Sequence, residues 1–196
     1  MADPKTGESD DSAVTTYLLV DGENIDATLG TSILGRRPQP DERPRWDRLI
    51  AFAKEAWGQD VRGLFFLNAS TTMPMSFIQA LNALGFQPVP LSGDADVKVV
   101  DVAIQRTLRA IKGRDADVML VSHDGDFLEE VEALLEDDDR RVGLMAFREF
   151  RNSGFTALEA DGLESFDLEY DVKAFTSTLP RIRVIPIDEF DPAQFL

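Results

Sequence analysis

Short, uninterrupted apolar runs alternate with stretches of helical periodicity along most of this chain, and that alternation leaves few folds open to it. Residues 16–20, 61–67, 86–91, 117–122 and 142–147 are runs of aliphatic, β-branched and aromatic side chains. They are too short for helices and apolar at nearly every position, as strands covered on both faces must be. Between them, Trp46, Leu49, Ile50, Ala53, Ala56 and Trp57 recur at helical spacing from about Pro44 and stop at Gly58. Phe77, Ile78, Leu81 and Leu84 do the same from about Pro74 to Gly85. Val97, Val100, Ile104, Leu108 and Ile111 mark a helix from about Asp96 to Lys112, and Phe127, Leu128, Val131, Leu134 and Leu135 mark one over residues 127–136. Gly85 suits a left-handed helix cap. The resulting βαβαβαβαβ pattern predicts an α/β fold, a three-layer α-β-α sandwich around a mainly parallel sheet. Pro88 and Pro90 cannot donate to a ladder, which places the third run at a sheet edge.

The flanks are less regular. Residues 1–13 read as an acidic, disordered tail with almost nothing to bury. Residues 14–172 form the expected domain, and residues 173–196 a C-terminal extension. Residues 152–162 suit a short helix and residues 165–170 alternate like a strand; Pro186 weakens a further candidate strand over 181–187. Residues 21–44, rich in Gly and Pro, read as one long loop carrying Arg36, Arg37 and Arg43. The chain lacks cysteine, which excludes disulfides and zinc–thiolate sites. Its start lacks the basic and apolar segments of a signal peptide, and no apolar run approaches the ~20 residues of a membrane span. A soluble cytoplasmic protein is the expectation.

Acids recur at the ends of the apolar runs. The first run leads into Asp21-Gly22-Glu23-Asn24, and the fourth into Ser122-His123-Asp124-Gly125-Asp126-Phe127. With strand order 3-2-1-4-5, one of those right-handed crossovers permit, strands 1 and 4 are neighbours whose connections leave in opposite directions. Asp21, Asp124 and Asp126 then line the crevice at their carboxyl ends, and Asp101, early in the third helix, leans in from the side. Clustered carboxylates repel one another by ~4 kcal/mol per pair at 4 Å and an effective dielectric of 20, so they need a cation or protons. An all-oxygen donor set suits Mg²⁺ or Mn²⁺ better than zinc.

Three segments, Asp21-Gly22-Glu23-Asn24, Lys98-Val99-Val100-Asp101-Val102 and Ser122-His123-Asp124-Gly125-Asp126-Phe127, resemble the motifs of bacterial NYN-domain proteins in the PIN-like nuclease superfamily. The likeness spans roughly residues 16–168. It implies a PIN-like fold and a metal-dependent ribonuclease, with Asp21, Asp101, Asp124 and Asp126 as metal-binding acids and Asn24 as a polar group beside them. On that reading RNA is the partner, Asn24 donates to a phosphate or water oxygen, and Lys98 offsets charge near the leaving group. The family pattern usually has glycine where this chain has Val99 and His123. An imidazole at position 123 would contact a phosphate, ligate the metal or obstruct the backbone.

Competing readings stay open on the residues alone. Asp-Gly-Asp after a strand is also good turn and cap chemistry, and Asp94 and Asp96 read as turn acids. Arg36, Arg37 and Arg43 are either surface charges or a phosphate clamp beside the acids. The net charge of −16 repels polyanions at long range, so RNA would have to be held locally. A non-catalytic RNA-binding or regulatory module with the same fold is the first alternative, and a phosphatase-type aspartyl-phosphate domain the second. Self-association into a homo-oligomer is left open.

Overall fold

Leu18 and Val20 turn to one face of the first strand and Leu19 to the other, and all three are completely buried. A strand covered on both sides in this way belongs at the centre of a sheet, and β1 (Thr15–Asp21) lies there. It pairs in parallel with β2 (Asp60–Asn68) and with β4 (Ala116–Val121). β3 (Phe86–Leu91) flanks β2, and β5 (Val142–Ala146) and β6 (Glu164–Asp167) extend the other side, giving the order β3-β2-β1-β4-β5-β6 with every pair parallel. The expected order of five strands therefore holds, with residues from the alternating 165–170 segment adding a sixth. β3, with its two prolines, is an edge.

The computed structural model describes residues 14–71, 75–182, 185, 187, 188, 190–194 and 196. The expected tail over residues 1–13 lies outside the described residues, as do Pro74 and, in the weak candidate strand, Arg183, Val184 and Pro186. The described residues of that segment pair in no sheet. Among the described residues no helix is long and apolar enough to cross a membrane.

Helices cover both faces. α1 (Gly22–Thr28, continued by a π-helical stretch Leu29–Leu34), α2 (Trp46–Trp57) and α3 (Met75–Ala83) bury Ile25, Leu29, Leu49, Ala53, Trp57 and Leu81 against Leu18, Val20, Phe65 and Met119. α4 (Val99–Lys112), α5 (Leu128–Leu135) and α6 (Ser153–Leu158) bury Ile104, Leu108, Val131, Leu134 and Phe155 against Leu19, Phe66, Val118 and Leu120. Gly85 (φ 89°) takes the left-handed conformation expected of it, and Gly58 (φ 67°), where α2 stops, takes it as well. Ala174, Phe175 and Leu179, beyond residue 172, are buried in the first of these layers, so the described start of the C-terminal extension is part of the core.

Three expectations are corrected. The segment 21–44 is not one long loop, because Ile25, Leu29 and Ile33 recur every four residues and build a helix facing the core. Gly22 serves close packing, since a Cβ on it would stand 2.4 Å from the Phe65 ring. Leu84 and Val97, taken as inward, are 36% and 43% exposed, since α3 ends before Leu84 and α4 starts after Val97. The third long helix accordingly begins at Val99, with Lys98 as its cap residue.

Candidate metal centre

Asp21 is the last residue of β1 and the N-cap of α1, a position where a carboxylate meets free backbone amides. Its Oδ1 accepts from the Asn24 amide (3.1 Å), and its Oδ2 accepts from the Ser122 hydroxyl (3.1 Å) just past β4. Ser122 Oγ in turn accepts from the Asp124 amide (3.2 Å). Asp124 caps the 3₁₀ turn before α5 by accepting from the Asp126 amide (3.0 Å), and Gln105 on α4 holds the Asp126 carbonyl (2.9 Å). Through these contacts the turn after β4 is tied to both β1 and α4. One carboxylate oxygen from each of Asp101, Asp124 and Asp126 falls within 4.8 Å of the other two. Asp21 lies beneath this group, 2% exposed; burial pushes its carboxyl up to about 6 against the two hydrogen bonds, and the charges of Asp101 and Asp124 add to the rise.

Lys98 closes the group from outside. Its Nζ donates to Asp126 Oδ2 (2.8 Å) and lies 3.3 Å from Asp101 Oδ2. Bonds to Asp126 and Asp101 hold the ammonium above the usual lysine range, so it is charged.

His123 turns inward. Its Nε2 accepts from the Phe147 amide (2.8 Å), which fixes the ring proton on Nδ1, and Nδ1 then donates to Asn24 Oδ1 (2.9 Å). The ring stacks on Phe147 at 5.5 Å, and burial holds its pKa down at about 4. A neutral imidazole with both nitrogens engaged inside the fold has neither a free lone pair for a metal nor a charge for phosphate. Its effect is on Asn24, whose Oδ1 also accepts from the His123 amide (2.9 Å), leaving the Asn24 Nδ2 without a partner among the described residues.

The three loop arginines separate. Arg36 pairs with Glu42 through two bonds (2.7 and 2.5 Å), and Arg43 with Asp26 through two more (2.7 and 3.0 Å). Arg37 is exposed and has no ionic partner among the described residues; with Glu23, Asp26 and Arg36 it lines an open cavity of about 600 Å³ beside α1.

Sequence reasoning missed a second charged node at the carboxyl end of β5 and β6. Arg181, its side chain 3% exposed, donates to Asp167 (2.6 and 2.7 Å), to Glu169 (3.1 Å) and to Glu149, and stacks over Phe147 and Tyr170. Burial alone would raise the Asp167 carboxyl, but the Arg181 bonds and the amides of Tyr170 and Arg148 hold it at about 2. The signal available was a basic residue inside the apolar segment Leu179-Pro180-Arg181-Ile182.

The family model described as NYN domain matches residues 15–162. The chain belongs to the NYN-domain family. A crystal structure of a protein of unknown function from Vibrio parahaemolyticus is similar to it, with a TM-score of 0.61 over 80% of this chain and 95% of that one, at 20% identity. That likeness is one of fold, and the NYN domain here has the PIN-like three-layer architecture. No curated protein matches the chain.

The acids of this NYN domain fit a hard divalent cation. The donors are all oxygen, as Mg²⁺ and Mn²⁺ prefer, and two oxygens each ~2.1 Å from Mg²⁺ stand at most ~4.2 Å apart, so oxygens already within 4.8 Å of one another need at most a small inward shift to share an ion. A cationic group, the Lys98 ammonium, already occupies part of the space between them.

Proposed function

We propose that this NYN domain hydrolyses RNA phosphodiesters with Mg²⁺ or Mn²⁺ held by Asp101, Asp124 and Asp126, with Asp21 supporting them from below. The observation that carries this reading is the convergence of three carboxylates within 4.8 Å at the carboxyl end of the central strands, in a chain whose family is generally one of nucleases. A bound divalent ion would polarise a phosphate oxygen and lower the pKa of a water that attacks in line, so no side-chain nucleophile is needed.

The chain's own groups position and neutralise. Asn24, locked through Oδ1 by His123, offers Nδ2 as a donor to a phosphate or water oxygen. Burial raises the Asp21 carboxyl to about 6, and positive charge brought above it would favour its ionised form. Arg37 offers a charge beside α1, while Arg36 and Arg43 are already balanced by Glu42 and Asp26. In a protein of charge −16 this keeps RNA contacts few and local. A module that binds RNA without turnover is the reading Lys98 favours, because its ammonium neutralises part of the cluster without any metal.

Calorimetry with Mn²⁺ and a labelled single-stranded RNA, on wild type and Asp124→Asn, tests the proposal. Asparagine keeps the cap to the Asp126 amide and removes one of several repelling charges, so the variant should fold at least as stably. It should bind Mn²⁺ about tenfold more weakly or worse and lose cleavage, in line with loss of one charged ligand. Unchanged Mn²⁺ affinity sinks the metal-ligand role; tight Mn²⁺ binding by wild type with no cleavage of RNA points to the non-catalytic module.

A further inference from the structure

Lys98 precedes α4 by one residue and stands three residues before Asp101, a spacing at which side chains on a helix meet. Its ammonium reaches past Asp101 to Asp126 on a different element, so it bridges two of the three converging carboxylates. The side chain is 67% exposed, and its four-carbon stem is flexible and hydrated, so it can leave the acids without uncovering any apolar surface.

Resting on the reading that these acids hold a divalent ion, we infer that Lys98 is the centre's resident cation, displaced when metal enters and transferred to a phosphate oxygen of the substrate. An ammonium and a divalent ion contest the same oxygens of Asp101 and Asp126 and repel each other there, so metal alone binds at a penalty. Once displaced, the ammonium is still tethered beside the ion and lacks a counter-charge. A phosphodiester brings one. Whichever ligand first draws the lysine off the acids eases binding of the other, and linkage requires the two effects to be equal. Metal and RNA therefore bind this protein cooperatively, with the lysine as the coupling element. An ordinary surface ion pair would shift metal affinity slightly and would couple to nothing.

The test is Mn²⁺ titration of wild type, Lys98→Met and Lys98→Arg, each with and without a single-stranded phosphorothioate RNA that resists cleavage. Lys98→Met should bind Mn²⁺ alone about three- to tenfold more tightly than wild type, on the scale of removing one exposed like charge. The oligonucleotide should raise Mn²⁺ affinity in wild type and in Lys98→Arg, and do so several-fold less in Lys98→Met. A melt of each variant checks that the fold is kept. Equal or weaker Mn²⁺ binding by Lys98→Met, or an undiminished oligonucleotide effect in it, overturns the inference while leaving the metal centre standing. Absence of Mn²⁺ binding in wild type and both variants overturns the metal centre and this inference together.

Discussion

Asp21 and His123 are buried near each other at the ends of the two central strands, and burial moves them in opposite directions. Asp21 is held up at about 6 and His123 down at about 4. An acid that keeps its proton better when folded stabilises the fold below its unfolded value of 3.8, and that contribution is lost as pH rises through 6. A histidine kept neutral when folded stabilises above its unfolded value of 6.5, and that contribution is lost as pH falls through 4. At ~1.4 kcal/mol per pH unit each is worth up to ~3 kcal/mol, and over the same window they cancel. Asp21→Asn should therefore gain stability relative to wild type by up to ~3 kcal/mol as pH rises from 3.8 to about 6, measured by urea unfolding in the presence of a chelator. A variant-minus-wild-type difference that stays flat with pH would show that Asp21 titrates normally.

At the scale of elements, the short connection after β6 is pinned by Arg181, whose guanidinium satisfies Asp167 and Glu149 while packing on Phe147. Arg181→Met should lower stability by ~3–5 kcal/mol, because Asp167 is left buried without its partner; thermal melts should fall by roughly 10 °C for a chain of this size. A melt within a degree or two of wild type would mean that the segment is not clamped. This element was the least legible in the sequence, since an ion pair between residues distant in the chain leaves no local period. The first five strands were legible to within a residue or two as short, mostly apolar runs, whereas β6, Glu164–Asp167, ended three residues before the alternating segment did. The helix α1 was hidden for a different reason: its glycines look like breakers until Phe65 is seen lying against Gly22. At the site, the acids could be placed because strand ends are where a parallel sheet delivers side chains. The inward turn of His123 and the pairing of Arg36 and Arg43 with acids depend on tertiary neighbours that spacing does not reveal.

Across the whole molecule, the strand formed first in the sequence ends up in the middle, with β2 on one side and β4, paired as Thr15 with Ala116, on the other. The acids straddle that seam: Asp21 belongs to one half, Asp124 and Asp126 to the other, and Asp101 to the helix that crosses between them. An ion held there should resist separation of the halves, so Mn²⁺ at a concentration that just saturates wild type should slow its urea-induced unfolding by about tenfold or more and slow that of Asp124→Asn much less. Equal slowing of both proteins would place the ion elsewhere. The same order of strands matters on the ribosome. β1 can find β2 soon after it emerges, but its other edge must wait for β4, about 100 residues behind, which at ~5–20 residues per second leaves an apolar strand edge open for ~5–20 s. During that interval the nascent chain presents a ready template for pairing with any other extended polypeptide nearby, a consequence of keeping its first strand at the centre.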